Sequence, residues 1–190
     1  MIVIVGSPVG RVEAGRVVAA GTSARIAIAV AAAGRTVQIV GRVGDDAAAD
    51  GVLQDLVRAG VEHVAILRDP ARPTPVTGDG SDREGPARVG PEASPEIDGA
   101  DVELALRYLT EFRVIVLVEP ATSGVADVVT RATDWGEAEL IVATASADEE
   151  SDVRTRAQVV RRDAGEAEAA FERRVAAIAV TLDGGPTSAT

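Results

Sequence analysis

The sequence predicts an α/β protein of three layers, with helices on both faces of a mostly parallel central sheet. Short runs rich in Val and Ile alternate along the chain with longer segments of helical periodicity. Several of these short runs are apolar throughout, which is typical of parallel strands buried on both faces. Alternating strands and helices predict right-handed βαβ units. We expect a single domain over residues 1–190, a length that can bury a sizeable core.

The predicted elements follow from this pattern in chain order. The strands are expected at Ile2–Val5, Val37–Val40, His63–Leu67, Val114–Val118, Glu139–Ala143, Gln158–Arg161 and Ala177–Leu182. The helices are expected from Thr22 or Ser23 to Ala33, from Asp45 or Asp46 to Val57, and at Asp98–Leu109, Ser123–Trp135, Ala147–Ala157 and Gly165–Val175. Hydroxyl or carboxylate residues stand at the start of several helices, and Gly34 and Gly60 follow the first two, as helix caps do.

Residues 68–99 interrupt the alternation. Six of the nine prolines fall here, together with many Gly and Asp residues and few large apolar ones. This composition predicts an extended loop region, part of it disordered, that keeps a few short strand pairings.

Composition excludes several classes of function. The net charge is −11, aromatic residues make up 2% of the chain, and all 19 basic residues are Arg. An acidic chain with few aromatic rings lacks the phosphate contacts and stacking surfaces of a nucleic-acid-binding protein. Cysteine is absent, which excludes disulfides and thiolate chemistry. No apolar run has the length of a membrane span, so a cytoplasmic location is expected.

Several segments resemble, in order, the ribokinase-like sugar kinases, also called the phosphofructokinase B (PfkB) family. The segment from Gly21 to Gly34 resembles the Gly-rich loop and first helix of that family, and Gly41-Arg42-Val43-Gly44-Asp45-Asp46 resembles its G-x-V-G-D-D turn. Asp163-Ala164-Gly165-Glu166 is similar to its N-x-x-E segment, and Val180-Thr181-Leu182 to a strand end near the nucleotide. The resemblance spans nearly the whole chain and implies the ribokinase-like fold.

The resemblance also places a substrate pocket, but with departures from the family. A G-S-x-N-x-D segment supplies a sugar-binding Asp in the family, whereas this chain reads Gly6-Ser7-Pro8-Val9-Gly10-Arg11. A guanidinium only donates hydrogen bonds and cannot replace that carboxylate. The remnant of the pocket is expected at Gly6, Arg11, Gly21, Arg25, Gly41 and Asp45.

The catalytic parts of the family are expected to be incomplete. Nothing after Leu182 resembles the G-A-G-D segment that carries the base, and only about nine residues, Arg11–Ala19, stand where the family has a β lid. We therefore expect the lid and the C-terminal third to be missing, and no catalytic or metal-binding residue is assigned. The resemblance implies ATP and Mg²⁺ as cofactors, but these departures argue against them. A remnant of the nucleotide site is expected at Asp163, Glu166, Thr181 and Gly184.

Single residues have simpler interpretations. Asp45 and Asp46 fit a turn and a helix cap better than a metal pair, because carboxylates favour helix N-termini. Neither His63 nor Trp135 has neighbours that would make a catalytic site, and both are expected to pack against the core.

Three hypotheses for function remain. The first is a PfkB-type protein that does not phosphorylate sugars alone and acts in binding or assembly. The second is a sugar or nucleoside kinase completed by a partner chain or by self-assembly. The third is an anion or nucleotide sensor that uses the arginines near Arg25 or the remnant around Asp163 and Thr181. A second copy or another protein is expected to cover the exposed sheet.

Overall fold

The computed structural model describes residues 1–78, 94–109, 111–144 and 157–184. The strands are β1 (Ile2–Val5), β2 (Val9–Glu13), β3 (Arg16–Ala20), β4 (Val37–Gly44), β5 (Ile66–Asp69), β6 (Val76–Thr77), β7 (Val114–Val118), β8 (Glu139–Thr144) and β9 (Gln158–Arg161). The helices are α1 (Gly21–Ala32), α2 (Ala47–Arg58), α3 (Gly99–Tyr108), α4 (Ser123–Gly136) and α5 (Glu168–Asp183).

Six strands form the central sheet in the order β5-β4-β1-β7-β8-β9, and every neighbouring pair is parallel. After β1 the chain moves through β4 to β5 on one side, and then returns through β7 to β9 on the other. This confirms the predicted α/β architecture. The order of strand addition thus reverses between β1 and β7. Doubly wound folds form their ligand crevices at such a position.

Alternate residues of β1 divide the core into two halves. Ile2 and Ile4 belong to a cluster with residues of α1, α2 and α5, whereas Val3 and Val5 belong to a cluster with residues of α3 and α4. Successive side chains of a strand point to opposite faces of the sheet. The four apolar residues of β1 therefore contribute to the core on both faces.

A second sheet corrects the prediction that the lid is missing. Strands β2 and β3 form an antiparallel hairpin, and β6 pairs with β2 to give the order β3-β2-β6. The hairpin turns through Ala14 and Gly15, which have φ angles of 49° and 75°. A two-residue turn with both φ angles positive matches the twist of a hairpin, so a short segment suffices for two five-residue strands. The small β lid is therefore present.

The boundaries of several elements differ from the predictions. The side chain of Asp46 caps α2 as expected, but α1 begins at Gly21, and Ala20 at its cap position makes no side-chain hydrogen bond. The prediction of short pairings within residues 68–99 is confirmed by β6. The predicted helix Ala147–Ala157 lies almost entirely outside the described residues, as does the central part of the 68–99 region.

The prediction of a strand at Ala177–Leu182 is wrong, because these residues belong to α5. Phe171, Val175 and Ala179 recur every four residues and are fully buried against α1 and the sheet. An apolar run that continues this helical spacing remains helical. The prediction that Trp135 packs against the core is also wrong, since its side chain is 93% exposed. No helix among the described residues has the length and apolar character needed to cross a bilayer.

Candidate functional site

A pocket of about 310 Å³ opens at the carboxyl ends of β1 and β7, between the two strands where the order of strand addition reverses. Its apolar wall is formed by Val5, Val9, Ile97, Leu117, Val118 and Val125. Its polar side chains are Ser7, Thr22, Ser23, Glu96, Glu119 and Thr122. The pocket thus combines an apolar wall with a few polar groups, as sites for small molecules commonly do.

Glycines allow the backbone to approach the pocket closely. Gly6 and Gly21 both line it, with φ angles of 155° and 80° that side-chain-bearing residues rarely adopt. Gly41 lies directly behind Gly6, where an added Cβ would come within 2.8 Å of the Gly6 carbonyl oxygen. The glycines predicted for the pocket from the family-like motifs therefore shape its floor.

Helices α1 and α4 both begin at the pocket. The first turn of α1 has no capping side chain and no acidic residue. Ser23 in this turn is 2% exposed, and its hydroxyl oxygen has no hydrogen-bond partner within the described structure. At α4, Thr122 caps the helix by accepting from the Val125 amide at 3.4 Å. The α1 terminus therefore offers N–H donors and one buried hydroxyl to a ligand.

Glu119 supplies the buried acceptor of the pocket. It follows β7 directly and is joined to Pro120 by a cis peptide bond. Its Oε2 atom is buried without a hydrogen-bond partner, although it lies in a polar cleft. A buried carboxylate oxygen is costly to leave unpaired, so this atom is suited to accept a ligand hydroxyl. The sequence analysis does not predict Glu119 as a site residue. The one feature of the sequence that indicates it is its position directly after the apolar strand β7.

The two arginines predicted for the pocket lie outside its lining. Arg11 on β2 pairs with Glu13, and Arg25 on α1 lies 3.8 Å from the same carboxylate. Neither arginine is among the residues that line the pocket. Asp45 does not line the pocket either; it is 59% exposed and pairs with Arg68 at 3.3 Å. Of the six predicted pocket residues, the structure thus brings Gly6, Gly21 and Gly41 together.

Glu172 lies on α5 and is only 6% exposed. Burial raises the pKa of Glu172 to about 7, and the negative charge of Glu168 adds to this rise. The positive charges of Arg25, Arg11 and Arg173 oppose it. Charges on the lid, α1 and α5 therefore all act on one buried carboxyl group, whose pKa is raised to about 7.

The four residues predicted for a nucleotide site are not brought together. Asp163 and Glu166 precede α5, whereas Thr181 lies near its other end and Gly184 follows it. Because α5 spans 16 residues, its ends are about 20 Å apart at the ordinary helical rise. The strand-end argument for Thr181 fails as well, since its hydroxyl donates to Ala177 of the same helix at 2.8 Å.

The groups near each end of α5 have protein partners. Arg174 donates to both carboxylate oxygens of Glu166, at 3.1 and 2.7 Å. These hydrogen bonds lower the pKa of Glu166 against the opposing effect of burial, and the Asp163 amide lowers it further. At the other end, Asp183 accepts from the N-terminal ammonium group at 3.0 Å.

The described residues do not fit an ATP phosphate at Thr181 and Gly184. A helix C-terminus presents carbonyl oxygens and partial negative charge, and the 8% exposed carboxylate of Asp183 is already paired with the N-terminal ammonium group at 3.0 Å and with Arg35 at 3.8 Å. This end of α5 therefore lacks the N–H donors with which a helix N-terminus holds a phosphate. Among the described residues there is also no group of three His, Cys, Asp or Glu side chains arranged to hold a metal ion.

Comparison with known proteins identifies the family. The model of the pfkB family of carbohydrate kinases matches residues 3–134, more than half of the chain. The chain belongs to the pfkB family of carbohydrate kinases. This span includes the lid and α1 and nearly all of β1 and α4, and therefore most of the pocket. No curated protein matches the chain.

Solved structures share the pfkB fold at low sequence identity. A PfkB protein from Polaromonas sp. JS666 is 17% identical, with a TM-score of 0.60 over 75% of this chain and 54% of its own. Fructokinase from Xylella fastidiosa is 19% identical, with a TM-score of 0.60 over 78% and 54%. An uncharacterized sugar kinase from Pyrococcus horikoshii is 14% identical, with a TM-score of 0.58 over 82% and 58%. The chain spans about half the length of these structures.

Proposed function

We propose that this pfkB-family chain binds a small uncharged compound rich in hydroxyl groups, of the sugar or nucleoside type, between β1 and β7. We propose further that it does not phosphorylate this compound alone. The observation that carries the binding proposal is the pair of buried polar atoms without partners, Ser23 Oγ and Glu119 Oε2, in one pocket. A ligand hydroxyl can donate to the carboxylate while its oxygen accepts from the α1 terminus.

The charges of the pocket favour a neutral ligand over a phosphorylated one. Its charged lining residues are the two acids Glu96 and Glu119. A phosphate group placed beside two carboxylates would be repelled, and the uncapped first turn of α1 offsets only part of that repulsion. The ligand class is therefore a free sugar or nucleoside rather than a sugar phosphate.

The second part of the proposal rests on the nucleotide residues. Thr181 and Gly184 lie about 20 Å from the start of α5. Glu166 is held by Arg174 and does not line the pocket. A role as an anion sensor has less support, because Glu13 contacts both Arg11 and Arg25.

Titration calorimetry with neutral sugars and nucleosides, and with their phosphate esters, tests the binding proposal. We expect saturable binding of a neutral compound, and Glu119→Gln should weaken its affinity at least tenfold. A tenfold loss corresponds to about 1.4 kcal/mol, the size of one weakened hydrogen bond to a charged acceptor. Glu96→Gln is the matched control, because Glu96 is an exposed lining residue 3.9 Å from Arg72. Equal losses in both variants, or preference for the esters, would contradict the proposal.

A separate assay tests catalysis. The purified chain is incubated with ATP, Mg²⁺ and the compound that binds, and ADP is measured. No turnover is expected from the chain alone. The second candidate, a kinase completed by another chain, is favoured by the retained lid and pocket. Turnover that appears only when a second protein is added would support that candidate, and turnover by the chain alone would refute the proposal.

A further inference from the structure

The outer side of α3 and α4 carries a groove unrelated to the ligand pocket. Its volume is about 930 Å³, and residues of both helices and of the segment between α3 and β7 line it. Its apolar floor includes Leu109 and Val128, which are 7% and 8% exposed, together with Leu106, Phe112 and Ala132. The groove lies behind the second half of the core, on the opposite face of the sheet from α1 and α5.

A large aromatic side chain projects from the rim of this groove. Trp135 belongs to the lining of the groove and is nevertheless 93% exposed. Tyr108 and Leu104 of α3 are 79% and 50% exposed. Exposed apolar patches often mark contact sites, and Trp is among the residues that contribute most when an interface buries them.

The charged residues of the groove are of both signs. Glu103 and Arg107 pair with each other across one helical turn at 2.7 Å. Arg131, Glu111 and Asp134 line the same groove and have no ion pair to any residue in the described ranges. One surface therefore presents a projecting ring, an apolar recess, a free cation and two free anions.

We propose that this groove binds a second copy of the chain, with Trp135 of each copy inserted into the groove of the other. A twofold contact requires a surface that complements itself, and a surface that carries both a projection and a recess satisfies this condition. Arg131 of one copy then lies near Asp134 or Glu111 of the other. A strongly basic or strongly acidic partner would leave some of these charges opposed by like charges, so a second copy fits better.

The net charge of the chain opposes this association at low ionic strength. Each copy carries −11, and their repulsion is screened beyond about 8 Å at physiological salt. The measurement is therefore made at or above physiological ionic strength.

Sedimentation velocity over a concentration series, from micromolar to near-millimolar, tests the proposal. A reversible monomer–dimer equilibrium is expected, and Trp135→Ala should weaken it at least tenfold. Because Trp135 is the sole tryptophan, the emission of the wild-type protein should shift to shorter wavelength as dimer forms. Circular dichroism checks that each variant is folded. Trp135→Ala should fold normally, because the side chain that it removes is exposed.

Charge reversal identifies the surface. Arg131→Glu should weaken the dimer, and the double variant Arg131→Glu/Asp134→Arg should restore at least part of its affinity. Val64→Ser is the matched control, because Val64 is 80% exposed and lies outside the groove. A wild-type protein that stays monomeric overturns the proposal. So does a dimer that Trp135→Ala and Arg131→Glu leave unchanged, since it would use another surface.

Discussion

Glu172→Gln should stabilise the protein at alkaline pH and leave its stability almost unchanged at acidic pH. Glu172 is 6% exposed, and burial raises its pKa from 4.5 to about 7, with a further contribution from Glu168. Glutamine keeps the size of the side chain and one acceptor oxygen, but it cannot ionise. The substitution therefore removes the cost of charging a buried group while it keeps the packing of α5 against α1.

The sign and size of the effect follow from proton linkage. Because the folded pKa exceeds the unfolded one, the full stability is present below about pH 4.5 and is lost as the pH rises towards 7. The rise from 4.5 to about 7 corresponds to at most about 3 kcal/mol. Solvent screening reduces this figure, so we expect a gain of about 1–3 kcal/mol for the variant near pH 8.

Urea unfolding of both proteins near pH 5 and near pH 8 measures the difference in the free energy of unfolding. The gain from the substitution should appear near pH 8 and largely vanish near pH 5. Glu139→Gln is the matched control, since Glu139 is exposed on β8 and is not among the charges that shift the pKa of Glu172, so it should give a much smaller pH-dependent change. A gain of equal size at both pH values, or no gain at either, would refute the reasoning.

Three further substitutions test the fold by thermal or urea unfolding. Asp46→Ala removes acceptors of the Ala49 and Thr74 amides at 2.8 and 2.7 Å and should cost about 1–3 kcal/mol. Burial raises the pKa of Asp46, but these hydrogen bonds outweigh burial and lower it overall. The loss of stability in Asp46→Ala should therefore shrink as the pH falls through that lowered pKa. A loss that persists below it would contradict this. Gly51→Ala should destabilise by about 1–3 kcal/mol despite the better helix propensity of alanine, because its Cβ would lie 2.8 Å from the Val17 carbonyl oxygen of the lid; a more stable variant would refute that contact. Phe171→Ala should cost about 3–5 kcal/mol, since Phe171 is fully buried, and a cost below 1 kcal/mol would show that the site collapses around the loss.

The fold could be predicted because its signals are local. The apolar runs at β1 and β7 have few alternatives to buried parallel strands, and Asp46 has the side chain and position of a helix cap. The run at Ala177–Leu182 was ambiguous, because a short apolar segment suits a strand or a buried helix equally well. Its assignment depended on whether the spacing of Phe171 and Val175 continued, which the structure decides in favour of α5.

The lid was missed for a different reason. The length of the segment from Arg11 to Ala19 predicts only a tight connection, whereas a turn through Ala14 and Gly15 lets it form most of two paired strands. The third strand, β6, comes from the region rich in Pro and Gly, more than 60 residues away from β2 along the chain. A sheet assembled from such distant segments leaves a weak signal in either of them.

The sequence by itself determined the family, the alternation of strands and helices, and the glycines at the floor of the pocket, because periodicity and backbone freedom are properties of neighbouring residues. The tertiary structure alone decided which polar groups share a site. It brought Glu119 and Ser23 into one pocket and placed Glu166 and Thr181 at opposite ends of one helix. Contacts of this kind depend on how the elements are packed, and a short sequence segment carries no record of what packs against it.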